Sequence, residues 1–296
     1  MEAETQVKLV GVNGDEFIIA GPGAGDKGVY LGTGLEGSFY EPPVKVVYEE
    51  PANLPGARYL THRILRRDIV FGVEILNDKD GPWLRRDSQW RKQFRYHRDS
   101  KLVVTTPESG TRTLTMKLGA QPEISMHTDP RGKSVNRAVM TCYAGDPFWY
   151  GEDAVYTVET TTNTLGGGVE NLTLDIDEPI NPTDQFVWPV WVGSAPAKWT
   201  IPDYSYEDDE QANRRIIMPE ILTGEDITIH VDPRYPHVVA DNLANVQGRM
   251  NGIRFRHPVP EYEGPRTYNI SVTKAPVGAQ LQLRLPRPWS RPWGLE

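Results

Sequence analysis

The chain has 296 residues, a net charge of -8 and a single cysteine, with a mean hydropathy of -0.51. That length fits one large or two medium domains, each able to bury a core. The acidic balance argues against a general nucleic-acid binder. No apolar run approaches the ~20 residues that span a bilayer as a helix. The acidic opening MEAETQVKLV lacks a basic-then-apolar export signal, so a membrane or exported protein is not expected. Cys142 alone allows no intrachain disulfide and no zinc ribbon, which suits folding in a reducing cytosol. Residues 1–120 hold 17 basic and 16 acidic side chains, and 121–296 hold 15 and 24. We read this asymmetry, with the low apolar content around 119–135, as two domains, 1–120 and 121–296.

In chain order, the first prominent feature is FIIAGPGAGDKGVYLG at 17–32. Gly23, Gly25 and Gly28 fit G-x-G-x-x-G, but no helix can follow: Gly32, Gly34 and Gly37 interrupt, and Pro42 and Pro43 close the run. A dinucleotide site needs a helix N-terminus at the pyrophosphate. The glycines are therefore expected in a loop between strands, at positive φ. Alternating segments then recur throughout, among them KVVYEE, RDIVFGVEIL, TRTLTMKL, RAVMTCYA, NLTLDID and AQLQLRL. Period-two patterning bounded by Gly, Pro, Asn and Asp predicts half-buried strands, hence a mainly β fold of sandwich type.

One substantial helix is expected near 82–96, capped by Asp80 or Gly81 with Pro82 in its first turn. Trp83, Trp90 and Phe94 form its apolar stripe. Arg85, Arg86, Arg91 and Arg95 crowd the rest, as either a solvated face or a surface for a partner. Glu41, Glu49 and Glu50, on the long 36–59 excursion, are candidates for the complementary face of a subunit interface.

No catalytic or metal-binding constellation emerges. His230, Asp232 and His257 resemble a two-His-one-carboxylate set, but Pro233 and Pro236 end the strand abruptly. The acids at 175–178 and 207–210 show no defined pairing, and no G-x-S-x-G elbow is present. Neither a cofactor nor a metal is expected. Trp188, Trp191 and Trp199 in FVWPVWVGSAPAKW are either core or interface residues, or a platform for sugars. The closing LPRPWSRPWGLE is too proline-rich for a central strand and reads as an extended arm that docks its tryptophans on a body or a neighbour.

The order and spacing of VKLVGVNGDEFIIAGPGAGDKGVYLGTG, PGARYLTHRILRRDIVFGVEIL, the helix from Trp83, AGDPFWYGE, the P-V-W-V-G-S strand, LTGEDITIHVDP and RPWSRPWG carry a resemblance. The chain resembles the distal tail proteins of long-tailed siphovirus-type bacteriophages, called minor tail proteins in phages of actinobacteria. That resemblance implies an N-terminal β-sandwich belt domain that forms a homohexameric ring, and a C-terminal galectin-like β-sandwich. It implies a non-enzymatic structural protein of the virion tail tip, assembled in the bacterial host cytoplasm. The implied partners are further copies of itself, the tail tube protein, the tail-tip hub or baseplate protein and the tape measure protein, with no nucleic acid or membrane. The sequence departs from the family pattern at NPTDQF, 181–186, where relatives place glycine in the turn. Two other readings are a carbohydrate-binding adsorption module on the same fold and a non-haem iron oxygenase.

Overall fold

A computed structural model describes residues 4–53, 55–77, 82–124 and 135–296. Strand is the dominant regular structure, and the chain divides into two compact units, residues 1–151 with 289–296, and residues 152–288.

The first unit contains β1 (Gln6–Val10), β2 (Glu16–Ala20), β3 (Val29–Gly37), β4 (Val44–Glu49), β5 (Arg58–Ile64), β6 (Arg67–Leu76), α1 (Trp83–Arg91), β7 (Ser100–Thr106), β8 (Gly110–Leu118), β9 (Glu123–Ile124), β10 (Val135–Ala144) and β11 (Trp149–Tyr150). Antiparallel pairing runs in the order β2-β1-β7-β8-β10-β6-β3, and β4 and β5 pair separately as a ribbon. Alternation places one face of each main strand in a common core. From β6 come Ile69, Phe71, Val73 and Ile75, from β10 come Ala138, Met140, Cys142 and Ala144, and from β1 and β2 come Leu9, Phe17 and Ile19. Burial pushes the Cys142 thiol up to about 12, so it behaves as a small apolar side chain.

The boundary expected at 120/121 is displaced. β10 pairs with β6 without a break from Val135↔Leu76 to Ala144↔Arg67, and it also joins β8. A cut at 120 would remove a central strand. The low-apolar stretch that suggested the boundary is a connection within one sheet, and its residues 125–134 lie outside the described ones. The chain passes to the second unit only after Gly151.

The helix is also shorter than expected, nine residues over 83–91. Pro82 occupies the cap position with extended backbone, φ -72° and ψ 147°, and Asn77 Oδ1 accepts the Trp83 N–H at 2.5 Å. The expected caps, Asp80 and Gly81, lie outside the described residues. Beyond Arg91 the backbone turns to other partners: the Gln93 carbonyl accepts Val12 N–H at 3.0 Å and Ser100 Oγ at 2.9 Å. Phe94 still packs in the core, although it is not helical.

The glycine run is the loop between β2 and β3, with Gly23, Gly25 and Gly28 at φ 80°, 77° and 67°. At Gly28 two demands coincide. The backbone is left-handed, and a Cβ there would lie 1.4 Å from Arg86 Nη1. Gly28 therefore makes room for an arginine of α1 rather than for a phosphate.

The second unit contains β12 (Ala154–Glu159), β13 (Glu170–Ile176), β14 (Val190–Gly193), β15 (Lys198–Pro202), β16 (Arg215–Ile217), β17 (Ile227–His230), β18 (Val238–Ala240), β19 (Arg266–Thr273) and β20 (Gln280–Leu285). These make two antiparallel sheets, β12-β20-β14-β17-β18 and β13-β19-β15-β16. Their inner faces share one core that includes Trp191, Trp199, Ile229, Ile270, Val272, Leu281 and Leu283. This is a β-sandwich, as the alternating segments required. β21 (Pro288–Trp289) then pairs with β11, and the final segment belongs to the first unit.

Candidate interaction sites

The most unusual surface is the β4–β5 ribbon. Every residue of Val44–Glu49 is exposed, as is every residue of Arg58–Ile64 except Ile64. Its apolar side chains are large, with Val44, Tyr48, Tyr59 and Leu60 each at least half exposed. Tyr48 and Tyr59 meet edge to face at 6.0 Å, and Tyr59 Oη bonds His62 Nδ1 at 2.5 Å. An isolated two-stranded ribbon is marginal in water, and an exposed apolar ribbon with free edges is a surface built for pairing. Glu49 sits at the end of β4 and Glu50 follows it, both exposed.

The other expected interface residues separate. Arg85 and Arg95 are exposed, whereas Arg86 is buried against Gly28 and so belongs to the interior. Arg91 forms an i,i+4 ion pair with Asp87 at 3.5 Å. Of the two complementary faces expected, the basic one thus lacks Arg86, and on the acidic one Glu41 is engaged by Arg291 of the final segment, Nε to Oε1 at 2.8 Å.

That final segment is the arm anticipated from its prolines and tryptophans, and its dock is the chain's own first unit. Two buried arginines hold it, and sequence reading did not single out either. Arg67, at the start of β6, gives Nη2 to Ser290 O at 2.7 Å. It gives Nη1 to Ser38 O and Phe39 O at 2.9 and 2.8 Å, and Nε to Pro147 O at 2.8 Å. Burial lowers its pKa to about 10, opposed by the nearby Glu41, so it stays charged at neutral pH. Arg112, on β8, stacks 3.9 Å from the Trp289 ring centroid. It donates Nη1 to Arg291 O at 2.9 Å and Nη2 to Glu296 Oε1 at 2.6 Å. Trp293 lies 5.5 Å from the Tyr40 ring. The signal was present in the sequence, since Arg67 and Arg112 each replace an apolar residue at an inward position of an alternating strand.

In the second unit the three candidate tryptophans part company. Trp191 and Trp199 are buried at 2% and 0% exposure and fill the sandwich core, so neither belongs to a sugar platform. Trp188 is half-buried and lines an open pocket with Phe186 and Tyr206. The NPTDQF turn needs no glycine, because none of residues 181–186 has positive φ. Buried Asn181 shapes it instead, donating Nδ2 to Gln185 O at 2.8 Å and to Pro260 O at 2.6 Å.

Two of the three iron-site candidates are otherwise occupied. Asp232 forms a fork with Arg234, with bonds of 2.7 to 3.1 Å. His257 Nε2 faces Gln211 Oε1 at 3.2 Å. Among the described residues no group of three or more His, Cys, Asp or Glu side chains is placed to hold a metal.

A buried histidine that sequence reading passed over sets an acid sensitivity. His237 Nδ1 faces the His230 carbonyl at 2.9 Å, and Nε2 accepts the Phe255 N–H at 3.1 Å. This pairing requires the neutral ring with its proton on Nδ1. Burial holds its pKa below the ordinary 6.5, as do Arg254 and His230, against the raising effect of the His230 carbonyl. Burial also lowers the pKa of His257, with Arg214 and Arg256. A depressed histidine leaves stability unaffected above the unfolded pKa and costs stability as pH falls below it, because the unfolded chain takes the proton first. We expect the melting temperature to drop on acidification below about pH 6.5, and His237→Gln to flatten part of that slope. An identical slope in wild type and variant would show that His237 does not contribute.

Comparison with known proteins places these features in context. No family model matches the chain. It is 45% identical to Minor tail protein Gp27 of Mycobacterium phage D29, over an alignment that covers all of both chains. It is 44% identical to Minor tail protein Gp27 of Mycobacterium phage L5, again over the full length of each. Among solved structures, the SPP1 Dit (gp 19.1) protein superposes with a TM-score of 0.56 at 11% identity, covering 95% of this chain and 98% of that one. A chain of the phage P2 baseplate in its activated, calcium-bound conformation gives 0.51 at 11% identity, covering 96% and 98%.

Proposed function

The chain belongs to the family of the mycobacteriophage minor tail protein Gp27, and from that premise we propose that it is the ring-forming adaptor of a phage tail tip. In this reading six copies close into a ring between the tail tube and the hub or baseplate that carries the host-recognition apparatus. It acts as a structural component of the virion, not as an enzyme, and it assembles in the host cytoplasm.

The observation that carries the reading is the β4–β5 ribbon, an apolar strand pair exposed on both strands. Cyclic assembly needs a heterologous interface, in which one surface of a subunit meets a different surface of the next. A projecting ribbon supplies the first of these, and docking it on the neighbour covers Val44, Val46, Tyr48 and Tyr59 together. The number of subunits comes from the family resemblance, and the likeness to the SPP1 Dit fold supports the architecture.

The test uses the full chain. Light scattering across a concentration series, with negative-stain imaging, should find six-fold rings for the wild type. The double variant Val46→Asp/Tyr48→Asp should remain monomeric with an unchanged circular dichroism spectrum, because both side chains are exposed in the monomer. A wild-type chain that stays monomeric throughout, or rings formed equally by the variant, would reject the assignment.

A further inference from the structure

The second unit carries an open pocket of about 310 Å³ lined by Phe186, Trp188, Tyr206 and Pro258, with Ser205 and Glu207 on its polar side. That volume lies at the small end of the roughly 300–1,000 Å³ range of ligand pockets. We propose that this pocket binds a neutral saccharide, with a pyranose ring stacked on its aromatic walls and its hydroxyls met by Trp188, Ser205 and Glu207. The proposal is independent of ring formation.

Two buried polar side chains build the site in advance. Asn181, fully buried, ties its own loop to the opposite one through Pro260 O and Gln185 O. Its Oδ1 accepts Thr183 N and Oγ1 at 3.0 and 2.8 Å. Backbone bonds between Val187 and Val259 fasten the same two loops at 2.9 and 2.8 Å. This sets Phe186 and Trp188 against Pro258 and Pro260. On the other side Asp203 is 4% exposed and accepts the N–H groups of Arg256 and His257 at 3.1 and 3.2 Å, with Arg214 as its ion-pair partner. That fixes His257 beside the Ser205–Asp208 turn. A pocket framed this way has little ordering cost left when a ligand arrives.

The chemistry of the lining selects the ligand class. Phe186 is 49% exposed, although it sits in a rigid loop next to a half-buried tryptophan. Flat rings of this kind suit a ligand with one apolar face, and the C–H face of a pyranose is such a surface. Polar capacity is left unused beside the rings. Ser205 is 5% exposed, and its Oγ accepts the N–H groups of Glu207 and Asp208 at 3.3 and 3.0 Å. Its hydroxyl proton therefore remains to be donated. The Trp188 indole N–H and the exposed Glu207 carboxylate make no hydrogen bond among the described residues. Two donors and a bidentate acceptor around an aromatic wall match vicinal hydroxyls. The carboxylate, with no lysine or arginine in the lining, disfavours phosphates and nucleic acid.

The test is saturation-transfer NMR on the full chain, with glucose, galactose, mannose, N-acetylglucosamine, cellobiose, maltose and lactose as probes. At least one should receive transfer at its ring C–H protons. Trp188→Ala and Glu207→Gln should each weaken its binding by about tenfold or more, with the mass of the assembled protein unchanged. Glu207→Gln keeps the experiment decisive if Trp188→Ala perturbs the sandwich core, which Trp188 also touches. No transfer from any probe, or transfer equal in wild type and Glu207→Gln, overturns the proposal. Transfer to an oligoproline peptide in place of every sugar would assign the pocket to a peptide and overturn it equally.

Discussion

Replacing Trp90 with alanine is expected to destabilise the first unit by about 3–5 kcal/mol. Trp90 is completely buried. Its ring meets Phe17 of β2 edge to face at 5.4 Å and Phe94 at 5.1 Å. Removing it empties the space between α1 and the β1–β2 hairpin, and the close-packed strands beneath cannot collapse to fill it. Its indole N–H is buried without an acceptor among the described residues, which provides a control. Trp90→Phe should cost clearly less than Trp90→Ala, since it keeps an aromatic in place and deletes an unpaired donor along with some volume. Chemical denaturation read by near-ultraviolet circular dichroism gives both values. A near-neutral Trp90→Ala would mean that α1 does not seal the core, and a Trp90→Phe loss as large as that of Trp90→Ala would refute the argument from the unpaired donor.

The residues that made the fold legible are those whose side chains obey a period. Ile69, Phe71, Val73 and Ile75 alternate with half-buried neighbours apart from the buried Gly72, so β6 could be read from its letters, and β10 likewise. Trp83 and Trp90, seven apart, disclosed α1. The glycines at 23–28 were legible as a loop because nothing helical could follow them. Three features were hidden, each for a physical reason. The unit boundary depends on which strands pair, and β10 returns to β6 across a connection that looks like a linker. The end of the helix is set by hydrogen bonds from Ser100 and from Val12, the latter far from it in sequence. Trp188, Trp191 and Trp199 share a strand-rich neighbourhood, and only the packing of the two sheets decides that the latter two are core. The pocket depends on loops 181–187, 203–208 and 256–260, whose meeting no local pattern announces. The resemblance supplied the architecture where periodicity could not.

The second large effect concerns Arg67. Its guanidinium is wholly buried and serves carbonyls from three separate segments: Ser38 and Phe39, Pro147, and Ser290. Among the described residues no carboxylate bonds to it, so its charge is held by carbonyl dipoles with Glu41 helping from nearby, and its lowered pKa records the cost of burial. Arg67→Met removes this cost but leaves four carbonyls without their donor. Bonds to a charged group contribute about 1.5–3 kcal/mol each, and the relieved desolvation offsets part of the loss. A net destabilisation of about 3 kcal/mol follows. The loss should be local as well as global. With Ser290 released, the 289–296 segment keeps its ties through Arg112, through Arg291 to Glu41 and through Gly294 N–H to Ser109 Oγ, but it loses the one to Arg67, so proteolysis should cleave there earlier than in the wild type and before the sandwich of the second unit is attacked. Arg67→Lys should give little rescue, because one compact ammonium cannot span carbonyls that a planar fork reaches on three sides. A fully protected 289–296 segment in a stable Arg67→Met protein would show that the tryptophans of that segment, not the arginine, hold it in place.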